Sequence, residues 1–177
     1  MNKTCLYAII LVGLFVSCKK QGYVTSKTEV NQIDSTSFLM IENAIIDFKT
    51  NRTLHGNFFD FKNLNGRYVL IDFWGTWCAP CIKEMPTLKK YHESYKGKLS
   101  ILGINQGDNK QRIDQFINEN QYTWTHLTNG RGISDFVLNF NVSSFPTKII
   151  VDPNGKILHR FVGSGEIAFN ILDELLK

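Results

Sequence analysis

The sequence predicts an α/β domain: a mixed central sheet with helices on both faces. Three observations point there. Short apolar, β-branched runs alternate with stretches whose apolar residues recur at helical spacing. Late in the chain, Pro153-Asn154-Gly155 joins two strand-like runs as a tight hairpin turn. The chain has 177 residues, 43% hydrophobic and 20% charged, which suits one domain with a real core.

Taken in order, residues 38–46 and 57–61 read as an N-terminal hairpin, and Asn63 to Gly66 as a turn. Tyr68 to Trp74 is apolar enough for a buried strand. Ile82 to Tyr95 is an amphipathic helix, with Pro80 suited to its first turn and Gly97 a plausible stop. Leu99 to Ile104 is the next strand. The Gly107-Asp108-Asn109 stretch starts another helix, capped by Asp108 or Asn109, with Ile113, Phe116 and Ile117 on its apolar face. Tyr122 to Leu127 alternates as a short strand, and Ile133 to Phe140 reads as a short helix. Strands at 147–151 and 156–162 form the hairpin, and Glu166 to Leu176 closes the chain as an amphipathic helix. No internal repeat or low-complexity block interrupts this order.

The N-terminus is a different kind of sequence. Lys3 precedes an apolar run from Leu6 to Val16, too short to span a bilayer but suited to a secretory signal. Phe15-Val16-Ser17-Cys18 resembles a bacterial lipobox, although Phe15 stands where leucine is usual. That resemblance implies that residues 1–18 are a lipoprotein signal with Cys18 as the lipidated residue. Residues 19–37 are polar and read as a tether, and residues 38–177 as the folded domain.

The charge excess is a mild +4, and Lys and Arg are scattered, so a nucleic-acid surface is not expected. Of the four cysteines, Cys5 and Cys18 fall in the signal, and Cys78 and Cys81 remain for the domain. A disulfide closing so short a loop adds little stability. In an oxidising compartment the pair is therefore expected to be an active redox couple rather than a staple. Cys78 falls at the mouth of the predicted helix, where free N–H groups and the helix dipole favour a thiolate. Cys81 lies one turn deeper and is expected to be shielded, with Cys78 exposed.

These residues resemble the thioredoxin-like superfamily, and within it the membrane-anchored thiol-disulfide oxidoreductases of the TlpA/ResA type. The resemblance covers roughly residues 54–177. It rests on Asp72-Phe73-Trp74-Gly75-Thr76-Trp77-Cys78-Ala79-Pro80-Cys81, on Phe145-Pro146-Thr147 before an apolar strand, and on the Asp152 to Ile157 hairpin. Residues 106–129 fall where this branch carries an extra helix and strand. The resemblance implies a thioredoxin-like fold with that insertion and a cis Pro146.

It also implies roles. Cys78 attacks a substrate disulfide and Cys81 resolves the mixed disulfide. The Phe145 backbone beside a cis Pro146 pairs with an extended substrate, and Trp77, Ala79 and Pro80 complete the docking surface. Asp72 and Glu84 are both candidates to take the Cys81 proton, and the sequence does not choose between them. Burial of either carboxyl would raise its pKa and suit the task. Trp74 is expected in the core.

The implied activity is reduction of protein disulfides facing the periplasm, including apocytochrome c cysteines before haem attachment. Cysteine-containing proteins are the substrates and a membrane thiol carrier the electron source. No cofactor or metal is expected beyond the dithiol itself, and the chain is expected to be a monomer anchored by its lipid to the outer or inner membrane of the envelope. Trp124, His55, His92, His126 and His159 show no metal-site spacing and read as packing or surface residues. A zinc ribbon lacks its second ligand pair. An oxidant, isomerase or peroxidase of the same fold is the alternative enzyme, and a binding lipoprotein with an idle disulfide is the non-enzymatic one.

Overall fold

The structure is a computed structural model that describes Leu54, Phe59, 61–64, 66–131 and 135–177. The predicted signal, Cys18, the tether, His55 and most of the expected N-terminal hairpin lie outside the described residues. Phe61, expected to end a strand of that hairpin, instead opens a 3-10 turn over Phe61–Leu64.

Strand β1 (Tyr68–Trp74) forms because YVLIDFW combines β-branched and aromatic residues, and six of its seven residues are buried. Helix α1 (Ala79–Ser94) follows after residues 75–78. Strand β2 (Leu99–Asn105) and helix α2 (Lys110–Glu119) come next, then β3 (Thr125–Thr128) and the single-turn helix α3 (Phe136–Asn139). Strands β4 (Thr147–Val151) and β5 (Ile157–Val162) and helix α4 (Ile167–Leu175) complete the domain. Asn109, not Asp108, caps α2, its side chain accepting from Arg112 N–H.

The sheet order is β3-β2-β1-β4-β5. β1, β2 and β3 are parallel, while β4 runs antiparallel to β1 and β5 antiparallel to β4. This is the mixed sheet the sequence predicts. β3 is displaced from the expected 122–127: Tyr122 and Trp124 precede the strand and are buried as part of an aromatic group instead. The helix expected over 133–140 is described only over Phe136–Asn139, where Asp135 caps the turn by accepting from Leu138 N–H.

Strand alternation divides the core into two layers. Leu70, Trp74 and Ile150 face one side, with Cys81, Met85 and Leu88 of α1, Ile113 and Ile117 of α2, and Phe169 and Leu172 of α4. Val69, Ile71, Phe73 and Ile149 face the other, against Phe136 and Phe140 around α3. Asp72 has the parity of Leu70 and Trp74. The strand therefore points its one carboxylate into the layer that holds α1 and the cysteine pair.

Candidate active site

The site begins where β1 ends. Gly75 is required there by close approach: a Cβ on it would run into the Trp77 indole nitrogen and the Gln106 carbonyl. The Trp77 indole N–H donates to that same carbonyl at 2.8 Å, and its ring packs against Phe145 with centroids 5.2 Å apart. Asp108 fastens the loop from the other side. It accepts from Thr76 N–H and from the Thr76 hydroxyl, both at 2.7 Å, and from the Asn105 amide at 2.8 Å. Burial alone would raise the Asp108 carboxyl, but these hydrogen bonds, with Arg112 3.4 Å away, outweigh it and hold the pKa below the usual carboxylate value.

Cys78 is the N-cap of α1, and its sulfur accepts from Cys81 N–H at 3.3 Å. Pro80 sits in the first helical turn, where a missing N–H leaves no bond unmade. The two sulfurs are joined as a disulfide, with Cα atoms 5.3 Å apart. The expectation that Cys78 is exposed fails: it is 4% exposed and Cys81 2%. In the closed disulfide both sulfurs tuck against the core layer. Around the pair, Ala79, Pro80 and Trp77 are exposed, the last 56%. The Phe145–Pro146 peptide is cis. Phe145 is part-buried and packs against the cluster containing both cysteines.

On the same side of the sheet as the pair lies a feature the sequence reading did not single out. Lys148, the second residue of β4, is 2% exposed, and its register partner on β1 is Asp72. Its ammonium lies 3.3 Å from Asp72 Oδ1 and donates a short hydrogen bond to Glu84 Oε2. Glu84, only 11% exposed, accepts through Oε1 from Gly165 N–H at 2.7 Å. The two carboxylates chosen from sequence are thus brought together, by a cation that was missed. Burial pushes the Asp72 carboxyl up; Lys148 pulls it back without overcoming burial, and Glu84 adds to the rise. For Lys148, burial works against the charge, but Asp72 and Glu84 outweigh it and hold the ammonium above its usual pKa.

The histidines separate as packing residues and surface residues. His126 is buried between Trp74 and Trp124, at centroid distances of 5.4 and 5.2 Å, and His159 is exposed on β5. Trp74 is fully buried, as expected. Among the described residues, no group of three or more His, Cys, Asp or Glu is placed to hold a metal ion.

A family model described as thioredoxin-like matches residues 65–157, more than half of the chain. The chain is 32% identical over 116 residues to the thioredoxin-like protein YneN of Bacillus subtilis, covering 64% of this chain and 66% of YneN. It is 26% identical over 172 residues to the thiol-disulfide oxidoreductase ResA of Bacillus thuringiensis subsp. konkukian, covering 96% of this chain and 90% of that protein. The chain spans a little under two thirds of several other ResA proteins, at 63% for that of Bacillus anthracis. Among solved structures, the thioredoxin domain of a thiol-disulfide oxidoreductase from Bacteroides vulgatus superposes with a TM-score of 0.63 at 27% identity, covering 72% of this chain and 91% of that one. A thiol:disulfide interchange protein from a Bacteroides species gives 0.63 at 28%, covering 72% and 84%. The five-stranded sheet, the Cys78–Cys81 pair at the mouth of α1 and these likenesses lead to one conclusion: the chain belongs to the thioredoxin-like family, among its thiol-disulfide oxidoreductases.

Proposed function

We propose that this protein reduces disulfides in cysteine-containing proteins outside the cytoplasm, using Cys78 and Cys81 as its redox centre. The observation that carries the reading is Cys78 at the N-cap of α1, its sulfur facing a helix N–H. Such a position stabilises a thiolate and makes Cys78 the attacking group.

In the reduced protein, the Cys78 thiolate attacks one sulfur of a substrate disulfide. A mixed disulfide forms and one substrate thiolate leaves. Cys81 gives up its proton, attacks Cys78 Sγ, and closes the Cys78–Cys81 disulfide while the second substrate thiolate leaves. The substrate gains two electrons and the protein dithiol loses two. Trp77, Ala79 and Pro80 with the Phe145–Pro146 loop form the docking surface, where the Phe145 backbone can pair with an extended segment. Asp72 and Glu84 serve the proton transfer.

A reductase in an oxidising compartment must be recharged, so a membrane dithiol carrier is the partner of its second half-cycle. Lipidation of Cys18 would hold the monomeric domain at the periplasm-facing side of the envelope, on a tether of residues 19–37. Apocytochrome c cysteines are the substrate class proposed here.

The test is the reduction potential of the pair in the purified protein, equilibrated in defined thiol–disulfide buffers. A value near or below about −230 mV supports the reductase. A value of about −120 to −180 mV makes the protein an oxidant or isomerase and removes the cytochrome step. A pair that never cycles overturns the enzyme reading in favour of a binding module.

A further inference from the structure

We propose that a small cavity beside Trp77 is a subsite for a lysine or arginine side chain of the protein substrate, with Asp135 as its counter-ion. The domain would then select cysteines that have a cationic neighbour in sequence. The inference rests on the oxidoreductase reading above and deepens it by naming the substrate chemistry that the docking surface takes.

The cavity measures about 270 Å³, and Gln106, Asp135, Val137, Leu138 and Val142 line it. Pockets for whole small molecules run to roughly 300–1,000 Å³, so this one suits a side chain better than a free ligand. Both of its sides lead to the surface around the cysteine pair. Gln106 accepts the Trp77 indole N–H on its carbonyl at 2.8 Å. Val142 runs through Ser143 and Ser144 into the Phe145–Pro146 loop, and the Phe145 ring packs on Trp77 with centroids 5.2 Å apart. A substrate segment paired with the Phe145 backbone therefore passes next to the cavity.

The lining has two parts that match the two parts of a long cationic side chain. Val137, Val142 and Leu138, the last 72% exposed, are apolar and suit the methylene stem. Asp135 supplies the charge. The Asn129 amide donates to its Oδ1 at 2.9 Å and Leu138 N–H at 3.0 Å. These neutral donors, with a smaller pull from Val137 N–H, outweigh burial and hold the carboxyl below its usual pKa. None of them cancels its charge.

That separates Asp135 from the other carboxylates around the site. Asp72 and Glu84 share Lys148, and Asp108 has Arg112. Asp135 forms no ion pair among the described residues. Arg160 reaches the same turn, but its guanidinium is engaged by the Phe140 carbonyl. The carboxylate is also held ready. Asn129, which orients it, is itself fixed: its side-chain oxygen accepts from Val137 N–H, and its N–H donates to the Asn105 carbonyl at 2.8 Å. An oriented anion in a half-apolar cup costs little to organise when a cation arrives.

The experiment uses the reduced full-length protein and short peptides that carry one cysteine in a disulfide with a coloured aromatic thiol. Cys78 attacks the peptide sulfur and the aromatic thiolate leaves, because the thiol of lower pKa is the better leaving group. Its release gives the second-order rate constant. Lysine is placed in turn at each position on either side of the cysteine, with glutamine at the same position as reference. The net charge of +4 would by itself repel a cationic peptide, so a lysine advantage reports a local contact.

Wild type should show a lysine-to-glutamine rate ratio of about five or more at one position. The ratio should drop at the positions beside it, because neighbouring side chains of an extended segment point to opposite sides. Asp135→Asn keeps a capping side chain for Leu138 N–H and should bring the ratio down to about one. Leu138→Lys sets a competing cation at the mouth of the cavity and should do the same.

A wild-type ratio of about one at every position overturns the inference. So does a ratio raised equally at all positions, which is attraction without a subsite. A ratio that survives both substitutions is equally fatal, since the cation is then held elsewhere. If Asp135→Asn does not fold, Leu138→Lys decides alone, its site being exposed. A wild type that releases no thiolate even from the glutamine peptides overturns the oxidoreductase reading itself, and that failure is seen before any lysine or substitution is compared.

Discussion

Acid should destabilise this protein through one buried histidine. His126 lies on β3, between the rings of Trp74 and Trp124, with Gly103 of β2 beneath it. A Cβ on Gly103 would come within 2.5 Å of His126 Nδ1, so the imidazole packs tightly against the β2 backbone. Burial lowers its pKa from 6.5 to about 3, against one opposing contact with the Tyr122 backbone and with a small added push from His92. The sign follows directly. Below pH 6.5 the unfolded chain binds a proton that the folded chain refuses, so stability is full above that pH and falls as the pH drops towards 3. Each unit of separation between the two pKa values is worth about 1.4 kcal/mol, so the loss from pH 7 to pH 4 is about 3 kcal/mol. That is a large part of the roughly 5–15 kcal/mol that holds a domain together. The assay is urea denaturation at pH 7, 6, 5 and 4 for wild type and His126→Phe. Asp108 and Asp135 also lose stabilising charge in acid, but they do so equally in both proteins. Wild type should therefore lose about 3 kcal/mol more than the variant across that range. Parallel curves for the two would refute the reasoning, whatever the offset between them at pH 7.

Other consequences can be checked more briefly. Asp108→Ala leaves Thr76 N–H and the Asn105 amide without their acceptor; it should cost about 2 kcal/mol and speed amide exchange at Thr76, read by hydrogen exchange. Gly75→Ala forces the Trp77 indole off the Gln106 carbonyl; a cost of about 1–3 kcal/mol and a changed Trp77 fluorescence are expected, and an unchanged spectrum would argue against the close approach. Asp72 has the opposite pH sign from His126, because its folded pKa is raised. The folded protein holds that proton more tightly, so ionisation costs stability as pH rises above the carboxylate's ordinary value, and none of the cost is present below it. Asp72→Asn, which mimics the protonated acid, should therefore gain on wild type in denaturation midpoint from pH 4 to pH 8.

Much of the domain was legible because its signals are local. The apolar run 68–74, the proline after Cys78 and the Pro153-Asn154-Gly155 turn each act within a few residues, and their elements stand where the sequence puts them. Tyr122 and Trp124 misled for a physical reason. Their alternation reflects stacking against Phe116, His92 and His126, not a strand's pleat, and the ladder to β2 begins only at Thr125. Cys78 was expected to be exposed because it stands at the helix mouth, but it packs into the core cluster with Cys81 and Met85 and is buried.

Lys148 was the main omission, although a signal existed. A lysine within Thr-Lys-Ile-Ile-Val is as anomalous in a buried strand as the aspartate within Tyr68 to Trp74. Pairing the two anomalies requires the β1–β4 register, which no single segment encodes. Glu84 was a candidate through the resemblance alone; its place in a helix, where solvent-facing carboxylates are common, gives no sign of its contact with that lysine.

The Asp72–Lys148 pair also acts as a key for assembling the sheet. β1 and β4 are otherwise runs of interchangeable aliphatic and aromatic residues, and such strands could slide past one another at little loss of apolar contact. A slip of one residue would turn Lys148 to the opposite face, among Phe73, Phe136 and Phe140, with no carboxylate in reach. A slip of two would keep the face but set Lys148 opposite Leu70 or Trp74 instead of Asp72. Either leaves a charge stranded in the core, and only one alignment avoids it. The same alignment fixes where the Phe145–Pro146 loop comes to rest, one residue before β4 begins. A buried pair of charges thus decides, at the moment the strands meet, whether the Phe145–Pro146 loop is delivered against Trp77 at the mouth of α1.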